Sequence, residues 1–228
     1  MAIDKSGDTP ADNQTIPIYG AGEKRWEIVK AAAGLFIRQG YLNTGVREIA
    51  EASGITVGTL YHYFKSKDEI LAAFQDGAVA NTENFIKQSE PMFTKMSPQD
   101  ALRKAIELYV GFTDEAQSIV LFWHQETKNL KPDERRKLME NEMVLADFFE
   151  KLIVRGQKAG VFKFKDARLA AHTIIVLGDM WAFRRWWLGK RFTSAQYARM
   201  QTEFILQGLC NGKLELPGGQ PGEVRKKT

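Results

Sequence analysis

The sequence contains one cysteine, three histidines and no long apolar run, and each shortage excludes a class of protein. A single cysteine, Cys210, cannot form a disulfide within the chain, which favours a reducing compartment. We interpret it as a small buried apolar residue and not as a nucleophile. No stretch approaches the roughly 18 apolar residues that span a bilayer. The first twenty residues show neither the apolar centre nor the cleavage site of a secretory signal. We therefore expect a cytoplasmic protein that does not bind a membrane.

Sequence motifs of common enzymes are missing as well. The chain has no glycine-rich phosphate loop, no His-Glu-x-x-His and no Gly-x-Ser-x-Gly. The three histidines and the cysteine are too scattered along the chain to nominate a metal site. We therefore expect that the protein is not an enzyme and has no catalytic residues, no metal and no cofactor.

Strand signals are scarce, whereas helical periodicity is present along most of the 228 residues. Hydrophobic residues make up 44% of the chain, enough for a real core. The net charge of +4 permits binding to an anionic partner without demanding it. Between Glu23 and Phe74 the two signs almost cancel, so an argument for nucleic-acid binding in that segment must come from pattern. The predicted fold class is all-α.

Capping signals and glycines divide the chain into about nine helices. The predicted ranges are about 23–38, 44–53, 56–64, 66–90, 98–115, 117–129, 132–160, 166–187 and 193–210. We expect the fourth helix to end before Pro91. The predicted domains are a disordered arm at 1–21, a three-helix head at 22–67, a larger helical body at 68–212, and a flexible tail at 213–228.

The segment from Thr44 to Lys67 is typical of a helix-turn-helix. Two short helices flank the turn Ser53-Gly54-Ile55-Thr56, in which Gly54 suits a left-handed conformation. Ile55 is placed to fill the angle between the helices, and Thr56 to cap the second of them. That second helix is short enough to lie in a major groove.

The helix that follows the turn separates into two sides on a helical wheel. Leu60 and Phe64, four residues apart, face the core. Gly58, Thr59 and His62 face away from it, with Tyr61 and Tyr63 at the flanks and Val57 on the exposed first turn. Lys67 is a poor partner for the helix dipole at the start of the fourth helix, so a phosphate bound there would relieve the conflict.

These residues resemble the signature of TetR-family regulators over roughly fifty positions. The matching residues are Phe36, Gly40, Tyr41, Thr44, Val46, Arg47, Glu48, Ile49, Ala50, Ala52, Gly54, Ile55, Thr56, Gly58, Thr59, Leu60, Tyr61, Tyr63, Phe64, Ser66 and Lys67. Gly45 departs from the pattern, which often has a second hydroxyl residue there. The resemblance implies a DNA-binding head, an effector-binding body and a homodimer built from the last two helices. It also implies that the DNA-facing residues are Thr44, Arg47, Thr56, Val57, Gly58, Thr59, Tyr61, Tyr63 and Lys67.

We expect most of these residues to contact phosphates, which position a protein without specifying sequence. Base readout is assigned to Val57, Thr59 and His62. Alternative interpretations are a solvated surface histidine for His62 and a packing ring for Tyr61.

The body is rich in large aromatic side chains, and the resemblance implies a ligand pocket among helices four to eight. The candidate pocket residues are Phe112, Trp123, His124, Phe148, Trp181 and Arg185. A pocket lined by aromatic residues suits a small apolar or amphipathic effector. The alternative for each residue is ordinary core packing.

Two stretches, 121–130 and 181–188, are similar to those of TetR-type regulators of fatty-acid, steroid and aromatic acyl-CoA catabolism. The basic block Arg184, Arg185, Lys190 and Arg191 suits the phosphates of a coenzyme A ester. A solvated face near the dimer interface is the alternative.

The function predicted from the sequence is that of a transcriptional repressor released from a palindromic operator by a small hydrophobic or acyl-CoA-type ligand. An activator, a chromosome organiser, and a ligand-binding module with a decayed DNA head are the competing readings. The large second domain argues against a general DNA packager, and the intact set of Tyr61, Tyr63 and Lys67 argues against a decayed head.

Overall fold

The structure, a computed structural model, describes residues 24–127 and 132–211, and within these ranges it contains helices and no strands. The predicted arm at 1–21 and tail at 213–228 lie outside the described residues. The helices are α1 Lys24–Gln39, α2 Val46–Ala52, α3 Val57–Tyr63, α4 Lys67–Lys95, α5 Pro98–Glu115, α6 Gln117–Glu126, α7 Pro132–Lys158, α8 Ala167–Leu188 and α9 Ser194–Asn211. The all-α prediction is confirmed.

Local capping explains where several helices begin. Thr193 and Gln196 satisfy each other's backbone N–H groups at the start of α9, at 2.9 and 3.2 Å. At the start of α4, Ser66 Oγ accepts from the N–H of Glu69 at 3.2 Å. The Glu69 carboxylate accepts from the backbone N–H of Lys65 at 2.7 Å, whereas in a standard capping box it would accept from the N–H of Ser66.

The predicted end of helix four at Pro91 is wrong, because α4 continues to Lys95. Proline removes one hydrogen bond from a helix, but it does not stop a helix that is held from outside. The last turn of α4 is held by Arg155 of α7, whose guanidinium donates to the carbonyls of Phe93 and Met96. Phe93 itself is buried against Phe148 at a ring distance of 5.4 Å.

Two hydrophobic cores position the rest of the molecule. The first, called the head core here, joins α1, α2, α3 and the first turns of α4. It also includes Phe122 of α6, whose ring lies 6.3 Å from Phe36 and 6.1 Å from Phe74. The second core lies among α4, α5, α7, α8 and α9. Because α4 and α6 contact both regions, the head is fastened to the body at two places.

None of the helices within the described residues has the length and apolar character needed to cross a bilayer.

Candidate nucleic-acid interface and helical body

Helix α3 is anchored on one side and open on the other. Leu60 and Phe64 are fully buried in the head core, as predicted. The Arg25 guanidinium lies 4.5 Å from the centre of the Phe64 ring. On the opposite side of α3, Val57 and Tyr63 are half-buried, and the exposed residues are Gly58, Thr59, Tyr61 and His62.

The start of α3 is fixed by the turn that precedes it. Gly54 has a φ of +65°, the left-handed conformation predicted for it. The next N–H, that of Ile55, donates to the carbonyl of Ala50 in α2 at 3.0 Å. Thr56 Oγ1 then accepts from the N–H of Thr59 at 3.1 Å, and the two threonine hydroxyls lie 2.9 Å apart. As a result, α2 and α3 are tied together by the backbone and by a side-chain cap.

The open side of α3 carries groups that suit a DNA groove. Hydroxyl and imidazole groups are able to hydrogen-bond base edges, and tyrosine hydroxyls to reach phosphates. Tyr61 is 52% exposed, which does not favour its interpretation as a packing ring. The His62 ring lies edge-on to Tyr63 at 5.6 Å, so the two rings support each other. Arg47 is exposed on α2.

The prediction that the Thr44 side chain faces DNA is wrong. Its side chain is only 2% exposed, and its Oγ1 donates to the carbonyl of Gly40 at 2.8 Å. Gly40 ends α1 with a φ of +86°, so its carbonyl lies within reach of the threonine hydroxyl. The hydroxyl therefore closes the loop between α1 and α2 and does not face solvent.

Lys67 also differs from its expected surroundings. Its Nζ donates to the carbonyls of Tyr41 and Thr44 at 2.7 and 2.8 Å and lies 4.3 Å from the centre of the Tyr41 ring. Burial lowers the pKa of Lys67, although the charges of Asp68, Glu126 and Glu48 oppose this effect. The carbonyls therefore already provide the compensation that was expected from a phosphate.

In the body, Trp181 and Arg185 share one acceptor. Trp181 is buried, and its Nε1 donates to Asp114 Oδ1 at 2.8 Å. Arg185 Nη2 lies 3.1 Å from the same oxygen, and its Nη1 donates to Gln117 Oε1 at 3.0 Å. The charge of Arg185 is thus paired by a residue distant in sequence, which removes it from the basic block that the sequence suggested.

His124 belongs to a second polar group, called the α5–α6–α8 cluster here and formed by Tyr109, His124 and Asp179. Tyr109 donates to Asp179 Oδ1 at 2.6 Å, and His124 Nε2 lies 3.5 Å from Asp179 Oδ2. The hydrogen bond to Asp179 raises the pKa of His124, against a smaller lowering by burial. Burial, with help from Asp179, raises the pKa of Tyr109. The cluster therefore links three helices around one carboxylate.

The other three pocket candidates lie apart from these groups. Phe112 is exposed on α5, whereas Phe148 is buried against Phe93 of α4. Trp123 packs on Phe74 at 5.1 Å, at the edge of the head core. Core packing or fixed polar partners thus hold most of the six predicted residues in this structure.

A cavity of about 440 Å³ lies between α8 and α9, and its lining includes Arg184, Trp187 and Tyr197. The Arg191 guanidinium lies 5.4 Å from the centre of the Trp187 ring. Burial raises the pKa of Tyr197 to about 12. The cavity and its surroundings thus combine aromatic rings with cations, and two of its lining residues, Trp186 and Trp187, are among the exposed apolar residues of α8.

Several important residues escaped the sequence reasoning. Asp179 is the sole acidic residue between Ala167 and Leu188, and an isolated carboxylate in an apolar helix needs a partner when it is buried. That pattern was an available signal for the α5–α6–α8 cluster. The entry of Phe122 into the head core had no local signal, because its partners come from α1 and α4. Within residues 24–127 and 132–211, no three His, Cys, Asp or Glu side chains are arranged to hold a metal ion.

Comparisons with known proteins agree with this architecture. Residues 28–74 match the family model for bacterial regulatory proteins of the tetR family, and residues 95–209 match the tetracyclin repressor-like C-terminal domain. The chain is 27% identical over 211 residues to the HTH-type transcriptional regulator HbdR of Aromatoleum sp. (strain CIB), covering 90% of this chain and 91% of that protein. It is 30% identical over 209 residues to the HTH-type transcriptional repressor KstR2 of Rhodococcus jostii (strain RHA1), and this match covers 89% of this chain and 97% of KstR2.

The fold is also similar to that of AibR, solved in complex with isovaleryl coenzyme A and operator DNA. The TM-score is 0.65 at 21% identity, and the match covers 81% of this chain and 98% of that one.

Proposed function

Because the chain belongs to the tetR family of bacterial regulatory proteins, whose members matched here are transcription regulators and not enzymes, we propose that it represses transcription by binding an operator as a homodimer. The observation that carries the proposal is the open side of α3, where Thr59, Tyr61 and His62 are exposed while Leu60 and Phe64 hold the helix from behind. A short helix anchored in this way is able to enter a major groove.

Contacts with DNA are divided between position and sequence. We assign base readout to Val57, Thr59 and His62, on the first turns and outer side of α3. The assigned phosphate contacts are Arg47, Thr56, Gly58, Tyr61 and Tyr63. The burial of its hydroxyl removes Thr44 from this set.

The proposed dimer uses the outer faces of α8 and α9. Leu169 and Val176 are exposed seven residues apart, a spacing that places them on one side of α8. On α9, Met200 and Phe204 are exposed, the latter by 70%. Apolar stripes of this kind on two neighbouring helices support burial against a second copy. A two-fold dimer presents its two α3 helices to successive turns of the duplex, so the operator is expected to be a rough palindrome.

The proposed effector is a small hydrophobic or acyl-CoA-type ligand. Support for a coenzyme A ester comes from the basic and aromatic end of α8, with Arg184 and Arg191 near Trp187, and from the shared fold with AibR. Ligand binding in the body would shift the equilibrium between two arrangements of the head, since Phe122 of α6 is part of the head core. Only a ligand that prefers the arrangement with low DNA affinity releases the operator.

The test begins with selection of random duplexes by the full-length protein. Enrichment of a palindrome is expected, and Thr59→Val is expected to relax the preference at one base pair by about 1–3 kcal/mol. Thr59→Ser, which keeps the hydroxyl, serves as the matched control. If no sequence is enriched, or if Thr59→Val leaves affinity and preference intact, the assigned interface is wrong.

The effector proposal has its own measurement. Calorimetric titration with a panel of acyl-CoA esters, in parallel with operator binding, is expected to reveal a ligand that binds and lowers operator affinity. Absence of binding across the panel, or binding without loss of operator affinity, contradicts the acyl-CoA assignment.

A further inference from the structure

The Lys67 ammonium is half-buried at the junction of the α1–α2 loop and α4. The α1–α2 loop is defined here as residues 40–45. Two of the three N–H donors of Lys67 point to carbonyls of this loop, those of Tyr41 and Thr44, at 2.7 and 2.8 Å. The Tyr41 ring lies against the same ammonium, with its centre 4.3 Å away. The ammonium is therefore held by its own chain through two carbonyls and one ring.

Several other bonds of the α1–α2 loop stay within the loop or join it to the end of α1. Thr44 donates through its Oγ1 to the Gly40 carbonyl at 2.8 Å and through its N–H to the Tyr41 carbonyl at 3.3 Å, and Asn43 Nδ2 donates to the Gln39 carbonyl at 2.9 Å. The Tyr41 side chain is buried and donates to Asp68, the residue after Lys67. Consecutive residues of α4 thus hold both the backbone and the side chain of Tyr41.

Whatever fixes this loop also fixes the recognition helix. Helix α2 begins directly after the loop, with the Gly45 N–H held by the Glu48 carboxylate at 2.6 Å. Helix α3 is tied to α2 through the Ile55 N–H and the Ala50 carbonyl. Movement of the loop would therefore carry α2 and α3 with it.

We infer that Lys67 is a positioning residue of the DNA-binding head, which clamps the α1–α2 loop onto the start of α4 in the absence of DNA. The inference rests on the proposed function, because positioning has a purpose only if α3 binds DNA. Lys65 is the matched control. It lies two residues before Lys67, in the connection between α3 and α4, and its side chain is exposed.

The experiment uses the full-length protein and measures two quantities for the wild type, Lys67→Met, Lys67→Arg and Lys65→Met. The first is amide hydrogen exchange over residues 41–52 without DNA. The second is affinity for the selected duplex as a function of KCl concentration. Each phosphate contact of a cation contributes about 0.9 to the slope of log K against log salt.

For Lys67→Met we expect exchange over residues 41–52 to be at least about tenfold faster, which corresponds to a local loss of about 1.4 kcal/mol. Exchange in α5 and α8 should not change, which shows that the body remains folded. The affinity should fall at every salt concentration, because a loosened loop no longer holds α2 and α3 in place. Lys67→Arg keeps the charge and several donors and should recover most of the protection and affinity.

Unchanged exchange in Lys67→Met, or an equal acceleration of exchange in Lys65→Met, overturns the inference. A salt slope lower by about 0.9 in Lys67→Met with unchanged exchange would assign Lys67 to a phosphate contact alone. If the wild type selects no duplex, the proposed function fails. The exchange measurement still decides whether Lys67 holds the loop.

Discussion

Gly178 lies in the middle of α8, where alanine would normally stabilise a helix, yet the structure predicts the opposite. A Cβ atom at this position would lie 2.5 Å from Cδ1 of Tyr109 and closer still to Cε1. The ring must therefore retreat by about 1 Å to restore an ordinary contact. Retreat also stretches the 2.6 Å hydrogen bond from Tyr109 to Asp179.

The expected change in the free energy of unfolding follows from three effects. Replacing glycine by alanine inside a helix gains about 0.5–1 kcal/mol. Forcing an extra carbon into a packed site costs about 1–3 kcal/mol. Loss of a hydrogen bond to a charged group adds about 1.5–3 kcal/mol when the bond is fully broken. We expect Gly178→Ala to lower the free energy of unfolding by about 2–4 kcal/mol.

The matched control is Gly111→Ala in the interior of α5, where the added Cβ meets no atom within 4 Å. It should raise the free energy of unfolding by about 0.5–1 kcal/mol. Denaturant unfolding is measured at one protein concentration, because association of two copies shifts the apparent stability. A double-mutant cycle completes the test: in a Tyr109→Ala background the clash is absent, so Gly178→Ala should no longer destabilise.

Equal stabilisation by Gly178→Ala and Gly111→Ala would refute this account of α5 and α8 packing. So would a loss in Gly178→Ala that persists unchanged after Tyr109→Ala.

Two further predictions concern the dimer and pH. Phe204→Asp should shift the protein to a monomer in sedimentation equilibrium, because a charge replaces the most exposed apolar side chain of α9. The control variant Phe204→Leu should remain dimeric. If Phe204→Asp is also dimeric, this face of α9 is not the dimer interface. The raised pKa of His124 means that its contact with Asp179 contributes stability below the unfolded pKa of about 6.5 and loses it as pH rises through the higher folded pKa. The stability difference between the wild type and His124→Gln should therefore narrow as the pH rises from below about 6.5 through the raised folded pKa, and a constant difference would show that the contact carries no protonation-linked energy.

Local chemistry explains which parts of the fold were predictable. The start of α9 follows from Thr193 and Gln196, which lie three residues apart and satisfy each other. Gly54 and Thr56 set the turn of the helix-turn-helix in the same local way. Pro91 led to a wrong prediction for the end of α4, because the Arg155 guanidinium of α7 stabilises the part of the helix that follows the proline.

The candidate site was predictable to the level of helix faces but not of individual bonds. A wheel correctly separates Leu60 from Thr59, since the two sides of α3 differ in residue type. The motif places Thr44 near DNA but does not reveal that its hydroxyl turns inward to the carbonyl of Gly40. Tyr109 and Asp179 lie 70 residues apart, so their pairing depends on how α5 and α8 cross, which no local pattern encodes.

Because Phe122 belongs to the head core, it affects how the DNA-binding head of this regulator can be exchanged with the head of another. A graft that carries residues 24–67 alone leaves behind Phe74 and Phe122, whose rings complete the packing around Phe36. The transplantable recognition unit is therefore discontinuous along the chain, and it consists of α1 to the first turns of α4 together with α6. Chimeric biosensors built on this scaffold should exchange both segments at once, or keep an aromatic side chain at the recipient's position that corresponds to Phe122.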